Sequence, residues 1–231
     1  MTLHLLTAIK DKVFFLRFRK RLEVWHRLFA LYLGLFLIWG LYRLLFRFPV
    51  FIEEIFLKGI VFGLPIIYLT LREDHRLTTL GLELNRTPRA IFWGVSLGVL
   101  LIGVNQLTLL VKPSPLATPP LTASSSLANF FILALITAFW EQLVFAGYFL
   151  SRLSKLFKSE WSIVVVTGAL FTTLHLPALI VADIPASQVA IQLFLIFILG
   201  ISANIVMLRT QNLLAPMLTQ ALWGVSIALY R

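Results

Sequence analysis

Residues Leu127 to Leu150 form a long apolar run broken by a single charge, Glu141. A run of this length matches the hydrocarbon thickness of a bilayer. In lipid every backbone N–H and C=O must be paired within the protein, so only helices and closed barrels span. A barrel strand alternates apolar and polar residues, and no such alternation is present. The chain is 59% apolar and 13% charged, about half the charge of a soluble domain. These features predict an all-α, polytopic membrane protein.

Six further apolar segments repeat the pattern, giving seven expected spans. They are Leu28–Phe46, Phe56–Leu71, Ala90–Val111, Leu127–Leu150, Trp161–Val181, Ala186–Leu208 and Leu213–Tyr230. The second is the shortest and carries Gly63 and Pro65. The stretch Lys112–Ser126 is rich in Pro, Ser and Thr, and reads as an exposed loop. Residues 1–26 are broken by six basic residues and lack a cleavage site, so they are not read as a signal peptide. Phe14, Phe18, Leu22 and Trp25 share one helical stripe, which predicts a basic amphipathic interfacial arm. The expected organisation is therefore that arm, residues 1–26, and one transmembrane helical domain over 27–231, its core at 127–231.

Net charge is +10, and the basic residues are unevenly placed. With the N-terminus in the cytoplasm, fifteen of the 20 Lys and Arg fall on the cytoplasmic side; Arg43, Arg47, Lys58, Lys112 and Arg231 do not. The positive-inside rule then puts the C-terminus outside. The expected setting is the plasma membrane of a prokaryotic cell, with anionic lipid head groups as partners. No nucleic-acid-binding motif is present. The chain has no cysteine, which excludes disulfides, thiolate metal sites and cysteine nucleophiles.

An ionised carboxylate deep in lipid costs roughly 3 kcal/mol or more and marks a functional position by default. Of four histidines only His175 lies within a span, two residues before Pro177. Spans four and five are antiparallel neighbours joined by a short loop. Counting 1.5 Å per residue puts Glu141 about 13 Å deep and His175 about 20 Å, a gap that tilt can close. Such a pair can hold a water and take its proton. The plainer alternative is a neutral carboxyl and a kink histidine that only satisfy neighbouring groups. Ser202, Asn204, Gln211 and Gln220 form a further polar set in the last two spans.

These stretches resemble the CAAX protease and bacteriocin-processing family of intramembrane peptidases, whose pattern is EExxxRG, FxxxH and HxxxN on successive helices. Here they read "EQLVFAG" from Glu141, "FTTLH" from Phe171, and "RTQNLLAPMLTQALWG" from Arg209; "LREDHRLTTLGLEL" from Leu71 is similar as well. The resemblance implies water-mediated endoproteolysis of membrane-tethered peptides, reached from the cytoplasmic side. Glu141 and His175 match the water-activating residues. Gln142 and Ala146 replace a Glu and an Arg, and Gln220 and Gly224 replace the oxyanion-side His and Asn, so four of six polar positions differ. Gln220 is a candidate oxyanion donor, and Gln142, Phe145, Phe171 and Gly224 are expected to line the cavity. Losing one oxyanion donor typically costs on the order of 100- to 1000-fold in rate.

The resemblance thus implies either a weak glutamate-dependent peptidase or a non-catalytic, immunity-type scaffold that binds a peptide, lipid or protein partner. A transporter ranks third, since no inverted repeat is evident. A catalytic zinc needs three protein ligands; the spans offer one histidine and one well-placed carboxylate, so neither metal nor cofactor is expected. "EEIFLKG", from Glu53, mimics the first motif at a span edge, and its Glu54 and Lys58 are read as an interfacial ion pair.

Overall fold

The computed structural model describes residues 2–46, 48–74, 76–83, 86–111, 127–182 and 184–229. Among these the chain is helical, without strands. Helix α1 runs unbroken from Thr2 to Leu45. Helix α2 (Ile52–Asp74) and helix α3 (Thr87–Val111) follow. Helix α4 covers 127–153, α5 Glu160–Leu174, α6 Leu176–Val181, α7 Ala186–Thr210 and α8 Leu214–Leu229. Among the described residues six helical stretches are long and apolar enough to cross a membrane. The seventh expected span is α8, with 16 described residues.

The second span is longer than its sequence suggested, because the charged turn Ile52–Leu57 belongs to the helix. The fifth is broken at His175, where α5 ends and α6 begins with Pro177 in its first turn. Proline cannot donate the helical hydrogen bond, so the chain turns there. Phe14 and Phe18 lie outside the described side chains, as does the loop Lys112–Ser126 outside the described residues. Leu22 and Trp25 are both exposed.

Helix α8 packs along α3 and α4, and α5 along α7. Gly168 and Gly200 sit where α5 and α7 cross; a β-carbon on Gly200 would lie 3.2 Å from the Gly168 Cα. Small residues at such crossings let helices approach closely in lipid.

One end of the bundle is tied by charges. Arg27 and Arg152 both pair with Glu73, the latter at 2.8 Å; Tyr148 donates to Glu73 at 3.0 Å, and Arg152 Nη2 lies 2.6 Å from Asp74. Arg209 bonds Glu160 at the same end. At the opposite end Arg43 pairs with the buried Glu53, which also accepts from the Tyr42 hydroxyl at 2.9 Å.

Two helices depart from the usual i→i−4 bonding near the middle of the bundle. In α2 the Lys58 N–H reaches the Glu53 carbonyl, and in α4 the Leu150 N–H reaches that of Phe145. Such i→i−5 turns are rare and gather at functional sites. They flank the place where α2 meets α4. Gly59 and Gly63 on α2 face the Trp140 ring, and a β-carbon on Gly63 would lie 2.8 Å from Trp140 Cε3. The glycines thus set the distance at which α2 passes the residue next to Glu141. Gly63→Ala is expected to destabilise the protein by roughly 1–3 kcal/mol through overpacking. Reversible unfolding in detergent measures this, and a neutral result would mean that Trp140 swings aside freely.

Candidate active site

Glu141 lies in the last turn of regular α-helix in α4 and is buried, 6% exposed. Both its oxygens are engaged. Lys58 Nζ is 2.6 Å from Oε1, and Gln220 Nε2 donates to Oε2 at 2.5 Å. Lys58 also reaches Glu54 Oε2 at 2.6 Å, and Thr137 donates to the same oxygen at 2.6 Å. Gln142 Nε2 donates to Gln220 Oε1 at 2.5 Å, which turns the Gln220 amide nitrogen toward Glu141. The ionic groups form an acid–base–acid row, Glu54–Lys58–Glu141.

The expectation for Glu54 and Lys58 is therefore corrected. They do pair, but not at the membrane interface: Lys58 is 3% exposed, and its ammonium bridges two helices to reach Glu141. An ammonium held at a surface would hydrate; this one is stripped of water and satisfied by two carboxylates, the arrangement a buried charge requires. The answer to how Glu141 survives in the bilayer lies partly in α2, some 83 residues upstream. The sequence signal for this was weak. An i,i+4 acid–base pair at the head of an apolar run reads alike whether it faces head groups or another helix. Gly59 and Gly63, one and five residues past Lys58, are the only local hint that α2 approaches another helix on that side.

His175 Nε2 is 3.7 Å from Glu141 Oε2. Its other nitrogen, Nδ1, is 2.8 Å from the Phe171 carbonyl oxygen. A carbonyl only accepts, so Nδ1 carries the hydrogen and Nε2 of the neutral ring presents a lone pair. The ring is further held edge-on to Phe171, centroids 4.7 Å apart. Two acceptors thus face each other beyond hydrogen-bond distance, near enough for one water set to the side of the line between them to donate to both. The break at Pro177 leaves His175 at the helix end, turned inward toward α4.

A cavity of about 370 Å³ opens on these groups. Of the residues assigned from sequence, Glu141, His175, Gln220, Phe171 and Gly224 line it. Gln142 and Phe145 do not. Gln142 is 1% exposed behind Gln220, and Phe145 is sealed between Phe149 and Phe171 in the core. Both follow Glu141 on α4 but face the interior, where the helix widens after Gln142. Asn204 is buried against the Val164 carbonyl, and Gln211 caps α7 in a left-handed conformation at the basic end. Of the polar set in the last spans, only Gln220 borders the cavity.

Glu54, Thr137 and Gln192 also border it, and the rest of the wall is apolar, with Val50, Phe130, Leu133, Leu179, Ile196 and Trp223 among its residues. They extend from the turn before α2 and the first turn of α4 down to Glu141. The cavity therefore faces the end of the bundle opposite to Arg27, Arg152 and Arg209. Among the described residues no group of three His, Cys, Asp or Glu side chains is placed to hold a metal. Glu54 and Glu141 are held apart by the Lys58 ammonium, and that donor set does not fit a zinc site.

Residues 123–226 match the family described as Rce1-like, type II CAAX prenyl endopeptidase Rce1-like. No curated protein and no solved structure matches the chain. The matched segment contains Glu141, His175, Gln220 and Gly224 and excludes Glu54 and Lys58. The likeness to that family thus covers somewhat less than half of the chain and includes most of the residues that line the cavity.

Proposed function

We propose that the protein is a glutamate-dependent intramembrane endopeptidase whose water is held between Glu141 Oε2 and His175 Nε2. The observation that carries this reading is their 3.7 Å separation on the cavity wall, with Nδ1 of the histidine already committed to a carbonyl. A water there donates one hydrogen to each acceptor. As its oxygen attacks a peptide carbonyl in the cavity, one of the two takes its proton and later passes it to the leaving nitrogen. The second N–H of the Gln220 amide is the neutral donor available to the developing oxyanion. Ala146 and Gly224 offer none, so turnover is slow.

A second reading is favoured by one observation: both Glu141 oxygens have protein donors, so the polar cluster is complete without a substrate. In that reading the cavity holds a peptide, lipid or partner protein without chemistry. Cleavage of prenylated or amphipathic peptides separates the two. Glu141→Gln is expected to lower turnover roughly 100-fold or more. Equal turnover in the variant, or none in the native protein, rejects the peptidase. A bound partner retained by both Glu141→Gln and His175→Ala supports the scaffold. The Lys and Arg distribution supports a membrane placement with the N-terminus inside.

A further inference from the structure

We propose that Glu54 is a specificity residue of the cavity, its free carboxylate oxygen binding a lysine or arginine side chain of an otherwise apolar peptide segment. This names the substrate class of the site proposed above, and it rests on that reading for the occupant being a peptide.

The bonds that close around Glu141 leave charge unbalanced beside it. The row Glu54–Lys58–Glu141 holds two anions and one cation. The other buried acid at this end, Glu53, is already matched by Arg43. His175, with its Nδ1 hydrogen on the Phe171 carbonyl, adds no charge as a neutral ring. A buried ion without a partner is costly, so the row is one cation short.

The shortfall falls on a single atom. Glu141 has a donor on each oxygen, Lys58 on one and Gln220 on the other. Glu54 receives both Lys58 and Thr137 on the same oxygen, Oε2, at 2.6 Å each. Its Oε1 has no protein donor among the described residues. Glu54 borders the cavity, and no described Lys or Arg does. The missing cation therefore has to arrive with what enters.

The surroundings define the rest of that occupant. Val50, four residues before Glu54, lines the same cavity with Phe130, Leu133 and Ile196. They suit aliphatic or aromatic residues on either side of the basic one. Glu54 and Glu141 share one ammonium, so no more than two short contacts separate their carboxylates. A side chain seated on Oε1 thus belongs to a residue near the bond that meets the water. Charge-assisted hydrogen bonds are about twice as strong as neutral ones, which favours lysine over an apolar residue of the same length.

The probes are N-acetylated, C-amidated peptides of leucine, alanine and glycine with a neutral coumarin label and one lysine, placed at each position in turn. Matched peptides carry norleucine or glutamate there. Binding to the full-length protein in uncharged maltoside micelles is read by fluorescence anisotropy, and mass spectrometry checks that the bound peptide is intact. At the best register the lysine peptide is expected to bind roughly tenfold tighter than the norleucine one, and the glutamate peptide most weakly. Glu54→Gln leaves Lys58 and Glu141 as a balanced pair. It is expected to abolish the lysine advantage and to hold the norleucine peptide within about twofold. Glu54→Asp, which keeps the charge, is expected to retain a lysine preference. A misfolded variant would lose both peptides, and the native comparison then stands alone as the test. Lysine and norleucine peptides that bind the native protein alike, a lysine preference kept by Glu54→Gln, or no binding of any peptide overturns the role given to Glu54. Lysine-dependent binding without cleavage upholds that role and rejects the peptidase; cleavage without a lysine preference does the reverse.

Discussion

Lys58→Met is expected to destabilise the folded protein by about 3–5 kcal/mol, the usual consequence of removing one partner from a buried ionic group. The reason is geometric. Lys58 Nζ sits 2.6 Å from a carboxylate oxygen on either side, and no Lys or Arg lines the adjoining cavity. Without it, Glu54 keeps only the Thr137 hydroxyl and Glu141 only the Gln220 amide. Two like charges would then face one another in a low-dielectric interior. A cycle over all three members of the row makes the point specific. Adding Glu54→Gln and Glu141→Gln to Lys58→Met is expected to recover most of the loss, since a neutral cluster needs no counter-charge. Reversible unfolding in bicelles gives the numbers. A loss under about 1 kcal/mol, the range of exposed ion pairs, would mean that Lys58 is hydrated and the buried row does not exist.

The second large effect is expected at the basic end. Arg152 is 3% exposed and ties α4 to the end of α2: its Nε donates to Glu73 at 2.8 Å, its Nη2 approaches Asp74 at 2.6 Å, and its guanidinium lies 4.7 Å above the Tyr148 ring. Arg152→Met removes all three contacts. Glu73 retains Arg27 and Tyr148, but Asp74 is left with Lys155 at 3.8 Å. The expected loss is about 3 kcal/mol, at the lower edge of the buried-pair range because Glu73 is partly rescued. Arg152→Lys is expected to recover only part of it, since a point charge cannot serve two carboxylates and a ring at once. If the lysine variant matched the native protein in unfolding free energy, the planar fork would be irrelevant and simple charge balance would explain the site.

The spans were legible, and with them the adjacency of the helices that carry Glu141 and His175, because each is a local or nearest-neighbour property; whether the two side chains meet was not. A continuous apolar run admits one spanning structure, and consecutive helices joined by a short loop pack side by side. The break at Pro177 was legible for the same reason. Lys58 was not, because its burial depends on the rotation of α2 against α4. That rotation is set by Gly59, Gly63 and the widened turns of both helices, none of which leaves a periodic trace. Gln142 and Phe145 were misplaced by the same widening, which turns the residues after Glu141 toward the core. Gln220 was found through its place in a motif, but its link to Gln142 was not, since it joins helices 78 residues apart.

The split of the charge row between two parts of the chain has an evolutionary corollary. The segment from 123 to 226 carries the anion and its neighbours, while the compensating cation is encoded far upstream. A fragment or chimera limited to that segment would keep the Gln220 amide on Glu141 but leave the carboxylate without its counter-cation. Drift at codon 58 is therefore constrained by codon 141, and lineages that lose one are expected to lose or neutralise the other.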